Sequence, residues 1–252
     1  MDFVDPISIR ESINTPWDSQ DDNDKAFRKV LDHGYVRLVD HLGSDLSVVR
    51  AARVSYNAEW RAGEDSGSDK RLINYLIRNK HTSPFEHVSF TLDVKAPIFV
   101  LRQWMRHRTW SYNEVSARYT ELPEEYYIPD DACIGVQSID NKQGRTINSQ
   151  YNDQKHWFPN HLDIVCNALF FRYKEFLKEG VPRELARMVL PLNTYSHMFA
   201  TVNLHNLLKF CQDRLAPGAQ WEIQQYATAI IDLIKPIVPV CVEAFESVNK
   251  TS

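Results

Sequence analysis

The stretch HVSFTLDVK at residues 87–95 alternates without a break, Val88, Phe90, Leu92 and Val94 against Ser89, Thr91, Asp93 and Lys95. A period of two marks a strand with one dry face and one wet or covered face. Pro97 suits the first turn of a following helix, IFVLRQWMRH at 98–107. Upstream, a shorter alternation from Tyr35 to Val39 predicts a second strand. Asp45 stands where a helix cap is expected before LSVVRAARV (46–54), with Val48, Val49 and Ala52 facing inward. KRLINYLIRNK (70–80) predicts another helix, with Leu72, Tyr75, Leu76 and Asn79 sharing one face. Beyond Pro159 the pattern is helical, over about 160–179, 182–190, 203–215 and 219–234, with Pro236 and Pro239 ending or kinking the last. A mixed first half and a helical second half predict an α+β single domain, a mainly antiparallel sheet packed by helices. Its expected limits are 33–252, after a polar, acidic arm over 1–32, with a polar insertion at about 131–155.

The 252 residues carry 29 Lys+Arg and 33 Asp+Glu, a net charge of −4. That balance argues against a general nucleic-acid binder, which needs a broad basic surface. The N-terminus, MDFVDPISIR, has neither a basic region nor an apolar one, and the run from Ala96 to Leu101 is too short to span a bilayer. A cytoplasmic, membrane-free protein is expected. The four cysteines, at 133, 166, 211 and 241, form no CxxC pair, so neither a zinc ribbon nor a disulfide frame is expected. Glycine numbers 8 in 252 residues, roughly half the usual ~7%, and no GxGxxG or GxxxxGK[ST] occurs. A bound nucleotide would have to be held by side chains instead.

The segment RQWMRHRTWSYNEVSARY (102–119) offers those side chains. It carries Arg102, Arg106, Arg108, Arg118 and His107 against one acid, Glu114, interleaved with aromatics and with Ser111, Asn113 and Ser116. Guanidinium forks bind phosphate bidentately and stack on planar rings. The competing reading is a solvated helix end whose arginines pair with Glu121, Glu124 and Glu125. In HTSPFEH (81–87) two histidines flank Glu86; a metal site would need two further ligands, so a capped turn is the simpler reading and no metal is assigned. Arg183 and Arg187 lie one helical turn apart, and Asn203, Leu207, Phe210 and Arg214 form a stripe whose closing arginine is either a rim residue or functional.

Arg106-His107-Arg108, seven residues and then Ser116 resemble the signature of flavin-dependent thymidylate synthases, as does NE-x-S-x-RY at 113–119. The resemblance extends through DLSVVRAARVSY (45–56), HTSPFEHVSFTLDVKAPIFVLRQWMRHR (81–108), VPRELARMVLPLNTYSHMF (181–199) and QWEIQQYA (220–227). It implies a homotetramer with FAD sites between subunits, converting dUMP to dTMP with methylenetetrahydrofolate as one-carbon donor and NADPH as reductant. By the same resemblance Ser83, Arg106, His107, Arg108, Glu114, Asn203, His205 and Lys209 would contact FAD. Gln103, Trp104, Met105, Arg106, Glu114, Val115, Ser116, Ala117, Arg118, Arg187 and Arg214 would bind dUMP. Arg214 would be the catalytic arginine that favours ionisation at uracil N3, and Ser116 a substrate-binding hydroxyl. Two departures stand out: Lys209 where Asn or His is expected, and Trp110 where a smaller residue is expected. Two alternatives stay open, an RNA- or nucleotide-binding module built on 102–119 and a flavoprotein of this fold that only oxidises NADPH.

Overall fold

The computed structural model describes residues 26–147 and 152–249, and the side chains of 152–156 are left aside. A five-stranded antiparallel sheet runs in the order β1-β2-β3-β7-β4, from β1 (Phe27–Val30), β2 (Gly34–Leu42), β3 (Ser89–Pro97), β4 (Ser111–Glu114) and β7 (Tyr195–Asn203). The short hairpin β5 (Val136–Gln137) and β6 (Arg145–Thr146) stands apart from it. Eight helices complete the described chain: α1 (Asp45–Arg53), α2 (Ser66–Arg78), α3 (Ile98–Trp104), α4 (Asn152–Lys178), α5 (Arg183–Ala186), α6 (Leu204–Arg214), α7 (Trp221–Ile234) and α8 (Pro239–Asn249). The mixed α/β single domain with an antiparallel sheet follows the expectation.

The alternation in β3 does what its period requires. Phe90, Leu92, Val94 and Ala96 are fully buried and face Val202, Ala200, Met198 and Ser196 of β7 in register. On this inner face Trp104 packs against Phe210, Trp110 and Tyr226, with ring centroids 4.7, 5.7 and 6.0 Å apart. Trp110, the unexpectedly large residue, fills this aromatic cluster and lies 6.2 Å from the ring of Tyr112. On the other face Asp93 is fully buried because Arg37 closes over it at 3.0 Å and His197 bonds it. Gly34 is needed where β2 meets α7, since a Cβ there would overlap the hydroxyl of Tyr226, which donates to the Lys95 carbonyl at 2.8 Å.

Several local expectations need correction. Ser44, not Asp45, is the N-cap of α1. The Asp45 carboxylate instead accepts from the backbone of Val240 and Cys241 at 2.9 and 3.0 Å, satisfying orphan N–H groups at the start of α8. In α2 the inward residues are Asp69, Ile73 and Leu76, while Tyr75 and Asn79 are exposed. Asp69 is held by Arg53 at 2.6 Å and by the Gly63 N–H at 2.8 Å, so a polar residue occupies the dry face. β7 is not among the expected strands: it occupies the gap between the helices read at about 182–190 and 203–215, and pairs on one side with β3 and on the other with β4. Phe27–Val30 belongs to the sheet rather than to the arm; residues 1–25 lie outside the described residues. The insertion contains the β5–β6 hairpin, and α4 begins within it at Asn152 and continues through Pro159.

Candidate functional site

The expected site residues fall into three side-chain clusters, two of them at the ends of α6. At its C-terminal end, Arg214 donates from Nε to His107 Nε2 at 3.0 Å and from Nη2 to the Gln103 carbonyl at 2.9 Å. Arg214 is therefore no loose rim residue. Nη1 is left without a partner among the described residues. Because His107 Nε2 accepts, its proton sits on Nδ1. Burial first, and the Arg214 charge second, hold the imidazole below its ordinary pKa, so it stays neutral. The Tyr112 hydroxyl donates to the carbonyls of Trp104 and His107 at 3.1 and 2.9 Å, fixing the turn between α3 and β4 that carries 105–108.

Arg102, at the end of α3, and Arg106 and Arg108, in this turn, are exposed and make no side-chain hydrogen bond or ion pair among the described residues. The acids expected to neutralise them are engaged elsewhere. Glu121 meets Arg183 at 3.8 Å, Glu124 bonds Lys174, and Glu125 meets Lys95 at 2.7 Å. The solvated-helix-end reading therefore fails, and unpaired guanidinium forks remain beside a neutral histidine. Their donor chemistry fits the phosphates of a dinucleotide or nucleotide.

A second cluster lies along β4 and α5. The buried Ser196 hydroxyl donates to Glu114 Oε1 at 2.5 Å, aiming a carboxylate that is otherwise exposed. The Val115 N–H donates to the His197 carbonyl at 2.8 Å. Ser116 Oγ accepts from the Arg118 N–H at 3.3 Å, and the Arg118 guanidinium meets Glu184 at 3.4 Å. Arg187 is exposed with no side-chain partner among the described residues. Ser196→Ala is expected to free the Glu114 side chain and lower turnover about tenfold, the scale of one lost charge-assisted hydrogen bond. Ser196→Thr should restore it; equal turnover in the alanine and wild-type proteins would refute a role for the contact.

The third cluster is at the other end of α6. Asn203 caps the helix, its Oδ1 accepting from the Asn206 N–H and Nδ2, both at 2.9 Å. Ser83, in a 3-10 turn (Ser83–His87), and His205 lie beside it, and the Leu204 N–H donates to the Val88 carbonyl at 2.7 Å. The eleven residues of α6 separate this cluster from Arg214 by ~16 Å. Within one chain Ser83, Asn203 and His205 are thus not brought to the arginine turn. Lys209 sits midway, paired with Asp213 at 2.7 Å. Trp104 is fully buried and Ala117 nearly so, which within one chain leaves their backbone rather than their side chains toward a ligand. Ser196, Tyr112 and Gln220, whose side chain bonds that of Gln103, were not singled out from sequence.

The family profile described as thymidylate synthase complementing protein matches residues 37–240. A flavin-dependent thymidylate synthase from Thermotoga neapolitana is 48% identical over 216 residues, 86% of this chain and 92% of the relative. One from Treponema denticola is 44% identical over 227 residues, covering 90% and 84%. A crystal structure of the UMP/dUMP methylase PolB from Streptomyces cacaoi bound with 5-Br dUMP superimposes with a TM-score of 0.75 at 37% identity, covering 87% of this chain and 97% of that one. Such identity over most of its length, together with the matching family profile and the shared fold, places the chain in the flavin-dependent thymidylate synthase family.

Proposed function

We propose that this chain methylates dUMP to dTMP, taking the one-carbon unit from methylenetetrahydrofolate and reducing equivalents from NADPH by way of FAD. The observation that carries the reading is Arg214, anchored on His107 and the Gln103 carbonyl beside arginines that no carboxylate among the described residues neutralises. When bound, FAD supplies the hydride chemistry that this chain's own side chains lack. Arg106 and Arg108 would hold phosphate oxygens, and His107 would donate through Nδ1. Glu114, aimed by Ser196, would accept from a sugar or base N–H or O–H. Arg187, Ser116 and Arg118 would bind the nucleotide. Arg214 would place a permanent positive charge against the uracil ring, stabilising negative charge at N3 and so raising nucleophilicity at C5.

An exposed apolar stripe supports self-association, which the same reading implies. Along α4, Trp157, Ile164 and Phe171 repeat at seven-residue spacing, with Phe158 and Val165 beside them, and all five are exposed. An apolar stripe this long is a face for another protein surface. Ser83, Asn203 and His205 stand a helix length from the arginine turn, so a site completed by a second copy would bring the two ends together. We infer a homotetramer acting in the cytoplasm. No helix among the described residues is long and apolar enough to cross a membrane.

The test is spectroscopic first. The purified protein should show a flavin absorbance, directly or after adding FAD, that shifts with dUMP. dTMP should then form only when dUMP, methylenetetrahydrofolate and NADPH are all present. Light scattering should give four times the 29.4 kDa chain mass. A protein that takes up no FAD overturns the reading. One that oxidises NADPH without making dTMP retains the flavin site and loses the synthase assignment.

A further inference from the structure

The polar insertion is not a loose excursion, because one of its side chains reaches the core. Arg145, in β6, donates from Nη2 to Glu222 Oε1 at 2.9 Å, and its guanidinium lies 5.8 Å from the ring of Trp221. Glu222 is 1% exposed and also accepts from the Tyr127 hydroxyl at 3.3 Å. Arg145 is the cation that neutralises this buried carboxylate. Asn141, at the hairpin tip, lies against Gly218. The hairpin thus touches the segment 215–222, the link from Arg214 into the first turn of α7.

That segment is itself tied to the proposed nucleotide end. Gln224 Nε2 donates to the carbonyls of Ala216 and Ala219 at 3.1 and 2.9 Å, closing the loop on the first turn of α7. Gln220, the N-cap of α7, bonds the side chain of Gln103. The Gln103 carbonyl in turn receives Arg214 Nη2.

We propose that the hairpin braces the 215–222 segment and that Arg145 is a positioning residue for the dUMP end of the site, acting through Glu222 and Gln220 on Gln103 and Arg214. This rests on Arg214 and Gln103 contacting dUMP. Arg145 touches no reacting atom, so its loss should fall on substrate affinity rather than on flavin binding.

The experiment compares wild type, Arg145→Gln, Arg145→Lys and Gln220→Ala in steady-state kinetics and in hydrogen exchange of the 215–224 amides. Arg145→Gln should raise KM for dUMP on the order of 5- to 20-fold, with kcat changed less than about threefold and FAD affinity unchanged. It should also speed exchange at 215–224. Arg145→Lys, which keeps a charge against Glu222, should recover part of both effects. Gln220→Ala, on an exposed side chain, should raise KM without disturbing Glu222, and it carries the test if Arg145→Gln does not fold. An unchanged KM for dUMP in the folded variants overturns the proposal, as does an equal loss of FAD and dUMP binding. Faster exchange in Arg145→Gln, in a protein whose wild type does not use dUMP, would overturn the dUMP assignment and leave the brace intact.

Discussion

Arg214→Ala is expected to lower dTMP formation about 10²–10³-fold, the usual cost of removing one preorganised donor from a developing charge, while the flavin spectrum is retained. Arg214 has little freedom. Nε is committed to His107 and Nη2 to the Gln103 carbonyl, so the guanidinium plane is fixed before any ligand arrives. Its pKa is lowered somewhat by burial, yet an arginine remains charged at any working pH. The arrangement adds a second, activity-independent readout at His107. Burial and Arg214 together depress that imidazole, and removing Arg214 deletes the second cause. The NMR titration of His107 should therefore move upward in Arg214→Ala, toward its ordinary value of about 6.5. The sign also governs stability. A depressed native pKa means the unfolded chain binds the proton more readily, so this contribution is intact above about 6.5 and lost as pH falls through the native value. Protonation at Nε2 would also expel the Arg214 donor, so dUMP use should fall on the same acid limb. Near-normal turnover in Arg214→Ala, or an unmoved His107 titration, would refute the arrangement.

Much of this site is readable in the residues, and the unread part has physical causes. The β3 alternation is explicit because large apolar residues mark the dry face at every second position. β7 hides because its inward residues, Met198, Ala200 and Val202, are mixed in size and flanked by helices. Missing that strand also hides Ser196 against Glu114, a contact created by sheet register across 82 residues. The buried face of α2 is only partly legible, Leu76 being on it, because Asp69, neutralised by Arg53, sits where an apolar residue is expected. The arginine turn is legible as composition. That Glu121, Glu124 and Glu125 are already taken by Arg183, Lys174 and Lys95 is tertiary information. So is the pairing of Arg145 with Glu222, since nothing local distinguishes that arginine within a polar stretch.

Position 104 separates a residue that binds from one that holds the binding turn in place. Trp104→Ala is expected to destabilise the fold by about 3–5 kcal/mol, the range for emptying a large aromatic from a core. For a chain of this size that lowers Tm by roughly 6–20 °C. The side chain is fully buried, with Phe210, Trp110 and Tyr226 around it. Rings in such offset and edge-to-face contacts add to the area buried. The cavity would open directly beneath the turn, because the Trp104 carbonyl takes the His107 N–H at 3.0 Å and the Tyr112 hydroxyl at 3.1 Å. Phe210 also lies 4.9 Å from the His107 ring, so collapse of the cluster would shift the partner of Arg214. Trp104→Phe fills most of the space and leaves the backbone carbonyl unchanged. It should therefore keep KM for dUMP near wild type while Tm falls modestly. A phenylalanine variant that folds at nearly the wild-type Tm but loses dUMP affinity would show that the indole itself meets substrate, and would restore position 104 to the binding surface.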